Sequence, residues 1–320
     1  MDLINKKIVC ELDINCRIPM SQLAKKLRIS RNVADYRIKN LEKSGIIVNY
    51  ICSLDLGVLG YTTYKIYFKI HNGKKSEKDF VKNLVEDKRV IHCVKIEGSF
   101  DYAVTLAVKT ISELDNFLLN LKNKFNDLID DCYIGIIVYS KLFKLHKLLL
   151  NYKKDILMQK SYKYSGEGKQ VTLDEKDKKI LRELSQSANL SIVEIAKRTR
   201  LSIDSVKYRL KVLSKSPVIS YRALLNLNKI GFYHYVILLK IKQIAQKEEE
   251  KLMTWCLLKK NVLYCTKRIG YFDFELNIAI TDINDLNGFI SELKKEFNEI
   301  IDSYDIIINS QLLKLNYTPF

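Results

Sequence analysis

Along the first fifty residues the apolar positions recur at helical spacing. Ile4, Ile8 and Leu12 share one face, Ser21-Gln22-Leu23-Ala24 opens a second helix, and Ser30 stands where an N-cap would start a third. Gly45 is suited to the left-handed cap that closes it, so helix, short turn, helix reads as a helix-turn-helix. The period then changes. IIVNYICSL and TTYKIYFKI are β-branched and aromatic, and the pattern beyond them predicts strand 63–70, helix 77–87, strands 90–97 and 102–108, helix 112–125 and strand 129–139. That order, βαββαβ, is a ferredoxin-like sandwich.

The whole pattern occurs twice. Residues 5–50 align with 177–222 at a constant offset of 172, with 16 of 46 positions identical. Tyr36-Arg37-x-Lys39-x-Leu41 matches Tyr208-Arg209-x-Lys211-x-Leu213, LGYTTYKIYFKI returns as IGFYHYVILLKI, and EGSFDYAV returns as IGYFDFEL. The second sandwich is predicted at 234–241, 246–259, 262–269, 273–280, 284–297 and 301–309. The fold expected is therefore α+β, a tandem duplication of a winged-helix-like helix-turn-helix unit and a sandwich. Its divisions fall at 1–50, 51–146, a basic linker at 147–169, 170–222 and 223–320. In the linker Leu148, Leu149, Tyr152 and Ile156 keep helical spacing before Ser165-Gly166-Glu167-Gly168, so an amphipathic helix packed on its own sandwich is expected.

Composition narrows the function. The chain of 320 residues has 54 Lys and Arg against 37 Asp and Glu, a formal +17, and only 11 Gly and 3 Pro. Residues 1–50 carry +5, 141–169 carry +6 and 170–222 carry +6, whereas 51–140 and 223–320 are each neutral. A general solubility bias would not partition in this way, but a phosphate-binding surface would. Seven cysteines lack Cys-x-x-Cys spacing and the four histidines are isolated, so neither a metal site nor a nucleophile pair is expected. The start of the chain has charges where a leader would be apolar, and no run approaches a membrane span. A cytoplasmic, nucleoid-associated protein with no cofactor, no membrane partner and no catalytic residue is the expectation.

The third helix of each unit is the expected groove reader. With Ser30 as cap, Ala34, Ile38 and Leu41 face inward and Arg31, Asn32, Asp35, Tyr36 and Lys39 face outward. With Ser202 as cap, Val206, Leu210 and Leu213 face inward and Ile203, Asp204, Lys207, Tyr208 and Lys211 outward. Arg31 suits guanine and Asn32 adenine, each bidentate, while Lys207, Lys211 and Arg200 suit phosphates. Arg28 precedes the first reader as Arg200 precedes the second. Arg37 and Arg209 are equally suited to DNA or to stapling the third helix to its neighbour.

These residues resemble the Lrp/AsnC transcription regulators. The resemblance rests on Asp177-Lys178-Lys179-Ile180-Leu181, on Ile195-Ala196 leading to Ser202, and on Val206-Lys207-Tyr208-Arg209-Leu210. In the first unit it rests on Leu23-Ala24 leading to Ser30, Arg37-Ile38 and Gly45-Ile46-Ile47-Val48-Asn49-Tyr50, and it covers almost the whole chain outside the linker. A Gly-x-x-Asp hairpin appears twice, at Gly98 to Tyr102 and Gly270 to Phe274. The resemblance implies a sequence-selective regulator of double-stranded DNA that associates through its sandwiches. It also implies an amino-acid or other small effector near Gly98, Asp101, Gly270 and Asp273, where the residues alone are equally well read as turn glycines and solvated aspartates. Such regulators normally have one unit, so a fused pair looks like a covalent dimer. Asn5 departs from the family's opening acid, and Ser216-Pro217 from its Ser-Gly turn.

Two other readings share these modules. One is an architectural protein that coats DNA without sequence preference. The other is an enzyme resembling the sirohaem decarboxylases, in which a His precedes a Tyr-x-Arg run. Here His92-Cys93 is followed by Val94, Lys95 and Ile96, and the second unit has Leu263-Tyr264-Cys265.

Overall fold

The computed structural model describes residues 1–71, 76–150, 169–242 and 245–320, and the main chain of 162–164. The first unit runs α1 (Leu3–Ile14), α2 (Met20–Leu27), α3 (Arg31–Lys43), β1 (Ile47–Leu54), β2 (Thr62–Ile70), α4 (Ser76–Glu86), β3 (Val90–Glu97), β4 (Tyr102–Val108), α5 (Ile111–Phe125) and β5 (Ile129–Leu142). A junction follows with α6 (His146–Leu149) and β6 (Tyr162–Tyr164). The second unit runs α7 (Glu175–Gln186), α8 (Ile192–Thr199), α9 (Ile203–Leu213), β7 (Val218–Leu225), β8 (Tyr233–Ile241), α10 (Gln246–Leu258), β9 (Val262–Gly270), β10 (Phe274–Ile280), α11 (Ile283–Phe297) and β11 (Ile301–Leu315).

Each helical head is closed by local chemistry. Asp2 caps α1 by accepting from the Asn5 amide at 2.7 Å, and Ser30 caps α3 through the Val33 amide at 3.2 Å. In the second head Asp174 and Ser191 form capping boxes with Asp177 and Glu194, and Ser202 caps α9. The residues that face inward on the third helices, Ala34, Ile38, Leu41, Val206, Leu210 and Leu213, are all buried.

The strand that follows each head does not fold back as a private wing. β1 pairs antiparallel with β7, from Ile47 opposite Leu225 to Leu54 opposite Val218, so the two heads share one ribbon. The weld continues beyond it. Arg17 donates to the Ala188 and Leu190 carbonyls at 2.7 Å each, and the Ala188 amide donates to Tyr50 at 2.9 Å. Asp13 of α1, with a side chain 1% exposed, is ion-paired to Arg222 of β7.

The two sandwiches are likewise not separate. Each has ferredoxin-like strand order, but β3 pairs with β11 and β9 with β5, which joins them into one closed antiparallel ring, β2-β4-β3-β11-β8-β10-β9-β5 and back to β2. Alternation sends Tyr64, Ile66 and Phe68 outward under α4 and α5, and Ile237 and Leu239 outward under α10 and α11. Tyr67, Val94, Ile96, Val236, Leu238 and Ile307 meet inside the ring.

Among the described residues of the junction, the four of α6 are helical, and they pack on α1 of the first head. Leu145, Leu148 and Leu149 join the head's core, the Leu145 amide donates to Asp13 at 3.0 Å, and Lys147 donates to the Cys256 and Leu257 carbonyls at the end of α10. A lysine there satisfies carbonyls that a helix C-terminus leaves unpaired. Tyr152, Ile156 and Ser165 to Gly168 lie outside the described residues.

Candidate nucleic-acid interface and effector cleft

On α3, Arg31, Asn32, Tyr36 and Lys39 are exposed, and on α9 so are Asp204, Lys207, Tyr208 and Lys211. Tyr36 and Tyr208, at the same helical position, are 66% and 70% exposed. Lys39 is ion-paired to Asp35 one turn earlier at 2.7 Å, whereas no salt bridge is formed by Lys207 or Lys211 among the described residues. Arg28 and Arg200 adopt left-handed backbone, φ 56° and 58°, where they end α2 and α8 and turn the chain toward the reader helix. Ser30 and Ser202 spend their hydroxyls as caps.

Arg37 and Arg209 are placed differently from the rest. Arg37 Nη1 donates to Asp2 at 2.6 Å and Asn5 at 3.0 Å, and Arg209 Nη1 to Asp174 at 2.7 Å and Asp177 at 2.6 Å. Both therefore tie the third helix to the start of the first. The Asn5 that departs from the family's acid still serves as acceptor.

The two Gly-x-x-Asp hairpins meet at one end of the ring. Gly270 (φ 153°) could not carry a side chain, because a Cβ would lie 2.6 Å from the Ile134 carbonyl oxygen. Asp101 accepts from the Ile70 amide and Asp273 from the Ile241 amide, each at 2.8 Å, so the two carboxylates pin their hairpins to β2 and β8. Between the hairpins lies a cavity of about 390 Å³. Its walls are Phe100, Tyr133, Tyr271 and Phe272, and its rim sets Lys69 among Asp130, Asp131 and Asp305. Gly98, Asp101, Gly270 and Asp273 shape this cleft, and their neighbours line it.

Inside the ring is a polar cluster that no motif announced. Tyr67 donates to Glu275 at 2.7 Å, Arg268 donates to Tyr67 at 3.1 Å, and Asn277 donates to Glu275 at 2.9 Å, with Lys65, His92 and His234 beside them. Burial pushes the Glu275 carboxyl up, but Lys65 and Arg268 outweigh it and hold it at about 2. Burial also holds His92 and His234 down, to about 3 and about 4. The signal in the sequence is weak: Lys65 on β2, and Glu275 and Asn277 on β10, interrupt mostly apolar strands.

Two capped helix-turn-helix heads with basic outer faces define a DNA-binding protein, and a winged helix-turn-helix DNA-binding family model matches residues 1–48 and 173–219. The proline dehydrogenase transcriptional activator of Rhizobium radiobacter is 30% identical over 122 residues, covering 38% of this chain and 78% of that protein. The HTH-type transcriptional regulator FL11 of Pyrococcus horikoshii is 29% identical over 119 residues, or 37% and 78%. The chain belongs to the Lrp/AsnC family and is a transcription regulator with DNA-binding heads. The siroheme decarboxylase NirDL crystal structure matches over 98% of this chain and 93% of its own, with a TM-score of 0.64 and 17% identity, which is a likeness of fold. No helix among the described residues is long and apolar enough to cross a membrane.

Proposed function

We propose that one chain acts as a covalent pseudo-dimer, a sequence-selective regulator whose two unlike heads bind a single non-palindromic site. The observation that carries this is the weld between the heads: the β1–β7 ribbon, Arg17 on the second head's carbonyls, and the Asp13–Arg222 pair. Heads fixed in this way have a fixed half-site spacing, and binding by one places the other at high effective concentration. The first head, with Arg31 and Asn32 exposed, reads bases. The second, with Lys207, Lys211 and Arg200, chiefly grips phosphates, and Tyr36 and Tyr208 contact the groove wall. The closed ring supports sandwich association within the chain, and the cleft between the hairpins supports a small effector.

Selection of sites from random duplex DNA tests this reading. One asymmetric motif is expected, and Arg31→Ala and Asn32→Ala should each relax preference at one or two base pairs. Uniform loss of affinity for all sequences would favour a coating protein instead. The whole-chain likeness to a siroheme decarboxylase sets a second test: sirohaem incubated with the protein under anaerobic reduction is expected to be recovered unchanged.

A further inference from the structure

The two halves of the ring are unlike at positions that the duplication makes equivalent. Ile96, Ala103 and Ile307 on one side correspond to Arg268, Glu275 and Gly135 on the other, as the strand registers confirm. The first three are apolar and buried; Arg268 and Glu275 are 3% and 4% exposed. An arginine so placed has lost its water and must find acceptors for five N–H groups.

It finds them on one edge only. Nη1 donates to Tyr67 and lies 3.5 Å from a Glu275 oxygen, while the guanidinium plane rests over the Tyr67 and Phe272 rings at 5.2 and 5.9 Å. Nε and Nη2 are buried with no hydrogen-bond partner. Their two N–H bonds point in parallel from one edge of the guanidinium, the geometry that matches the two oxygens of a carboxylate. Glu275 accepts from Tyr67 through one oxygen and from Asn277 through the other.

Charge and space agree with that edge. Lys65 and Arg268 stand against the single carboxylate of Glu275, with burial lowering the Lys65 ammonium, and the histidines facing the cluster, His92 and His234, add no charge near neutrality. Where Ile307 fills the interior on the other side, Gly135 has no side chain beside Arg268, and a Cβ there would meet Arg268 Cδ in ordinary contact at 3.7 Å. The cover of this place is the floor of the effector cleft: Phe100 stacks on Tyr67 at 5.1 Å, and Phe272 lies over Arg268.

We propose that the Nε and Nη2 edge of Arg268 is a binding site for the carboxylate of a small monocarboxylate, which enters past Phe272. The proposal rests on the effector-cleft reading for its entrance, but its binding step involves no DNA and is measured without it.

Acetate is the probe. The arginine Nε–H signals of the full-length, 15N-labelled chain are followed as sodium acetate is added, with sodium chloride at matched ionic strength as the second arm. One signal, assigned to Arg268, is expected to shift and saturate with acetate and not with chloride. Arg268→Ile with Glu275→Ala installs the residues of the opposite side and should abolish both the signal and any rise in melting temperature with acetate. Gly135→Ala keeps every charge, meets only ordinary contacts (nearest 3.5 Å), and should weaken acetate about tenfold by filling the space. No saturable shift at Arg268, an equal response to chloride, an acetate response kept by the double variant, or an unchanged midpoint in Gly135→Ala would each overturn the proposal. None of these outcomes bears on DNA binding by the heads.

Discussion

Asp13→Ala removes the residue on which three parts of the molecule converge. The Asp13 carboxylate takes Arg222 Nε at 2.8 Å, Arg222 Nη2, and the Leu145 amide at 3.0 Å, and its own side chain is 1% exposed. Deleting one partner of a buried pair costs about 3–5 kcal/mol, and orphaning a buried amide about 1–3 kcal/mol. Two facts lower the total. Arg222 keeps the Asp13 main-chain oxygen at 3.2 Å, and its side chain is 12% exposed, so water can reach it. A loss of about 3–4 kcal/mol is therefore expected. The assay is urea unfolding followed by far-ultraviolet circular dichroism, in a double-mutant cycle with Arg222→Met. Because an apolar pair can replace a buried ion pair at little cost, the double variant should recover most of the loss. A cost below about 1 kcal/mol for Asp13→Ala, or no recovery in the double variant, would refute the view that this pair welds head to head.

Three further outcomes follow from the same geometry. His92 and His234 titrate near 3 and 4 in the folded chain against 6.5 unfolded, so the unfolded chain takes up protons first; stability is full above about pH 6.5 and falls on acidification, by about 2 kcal/mol per histidine at pH 5 in urea titrations. Replacing both histidines with Gln should flatten that profile. Lys207→Ala should weaken all duplexes alike and reduce the slope of log affinity against log salt by about 0.9, as measured by fluorescence anisotropy. Arg209→Met should lower the stability of the second head by about 1 kcal/mol, chiefly by loss of the part-buried Asp177 contact, and leave the preferred sequence unchanged; a changed motif in site selection would show that Arg209 reads bases.

The heads were legible in the sequence because their determinants are local. Ser30 and Ser202 sit three residues before the amides they cap, and Ala34, Ile38 and Leu41 repeat at helical spacing. The strands were legible in type but not in length. β5 runs to Leu142 and β11 to Leu315, beyond the expected 139 and 309, because their far ends pair with β9 and β3 of the opposite unit. Period-two alternation tells which face a residue occupies, not which strand lies across from it. For the same reason IIVNYICSL read as a strand whose partner, β7, lies about 170 residues away and carried no local mark. Lys65, Arg268 and Glu275 come from three strands of two units, and only closure of the ring brings them together. The Gly-x-x-Asp hairpins were visible, whereas the aromatic residues between Gly and Asp turned out to line the cleft.

Composition assigned the excess charge to heads and junction, and the structure adds that the two heads are one object. Native mass spectrometry of the chain on its selected operator, paired with hydroxyl-radical footprinting of that complex, tests this most directly. One chain per duplex is expected at saturation, protecting two adjacent segments on one face of the DNA. Two chains per operator, or a single protected segment from one chain, would contradict it.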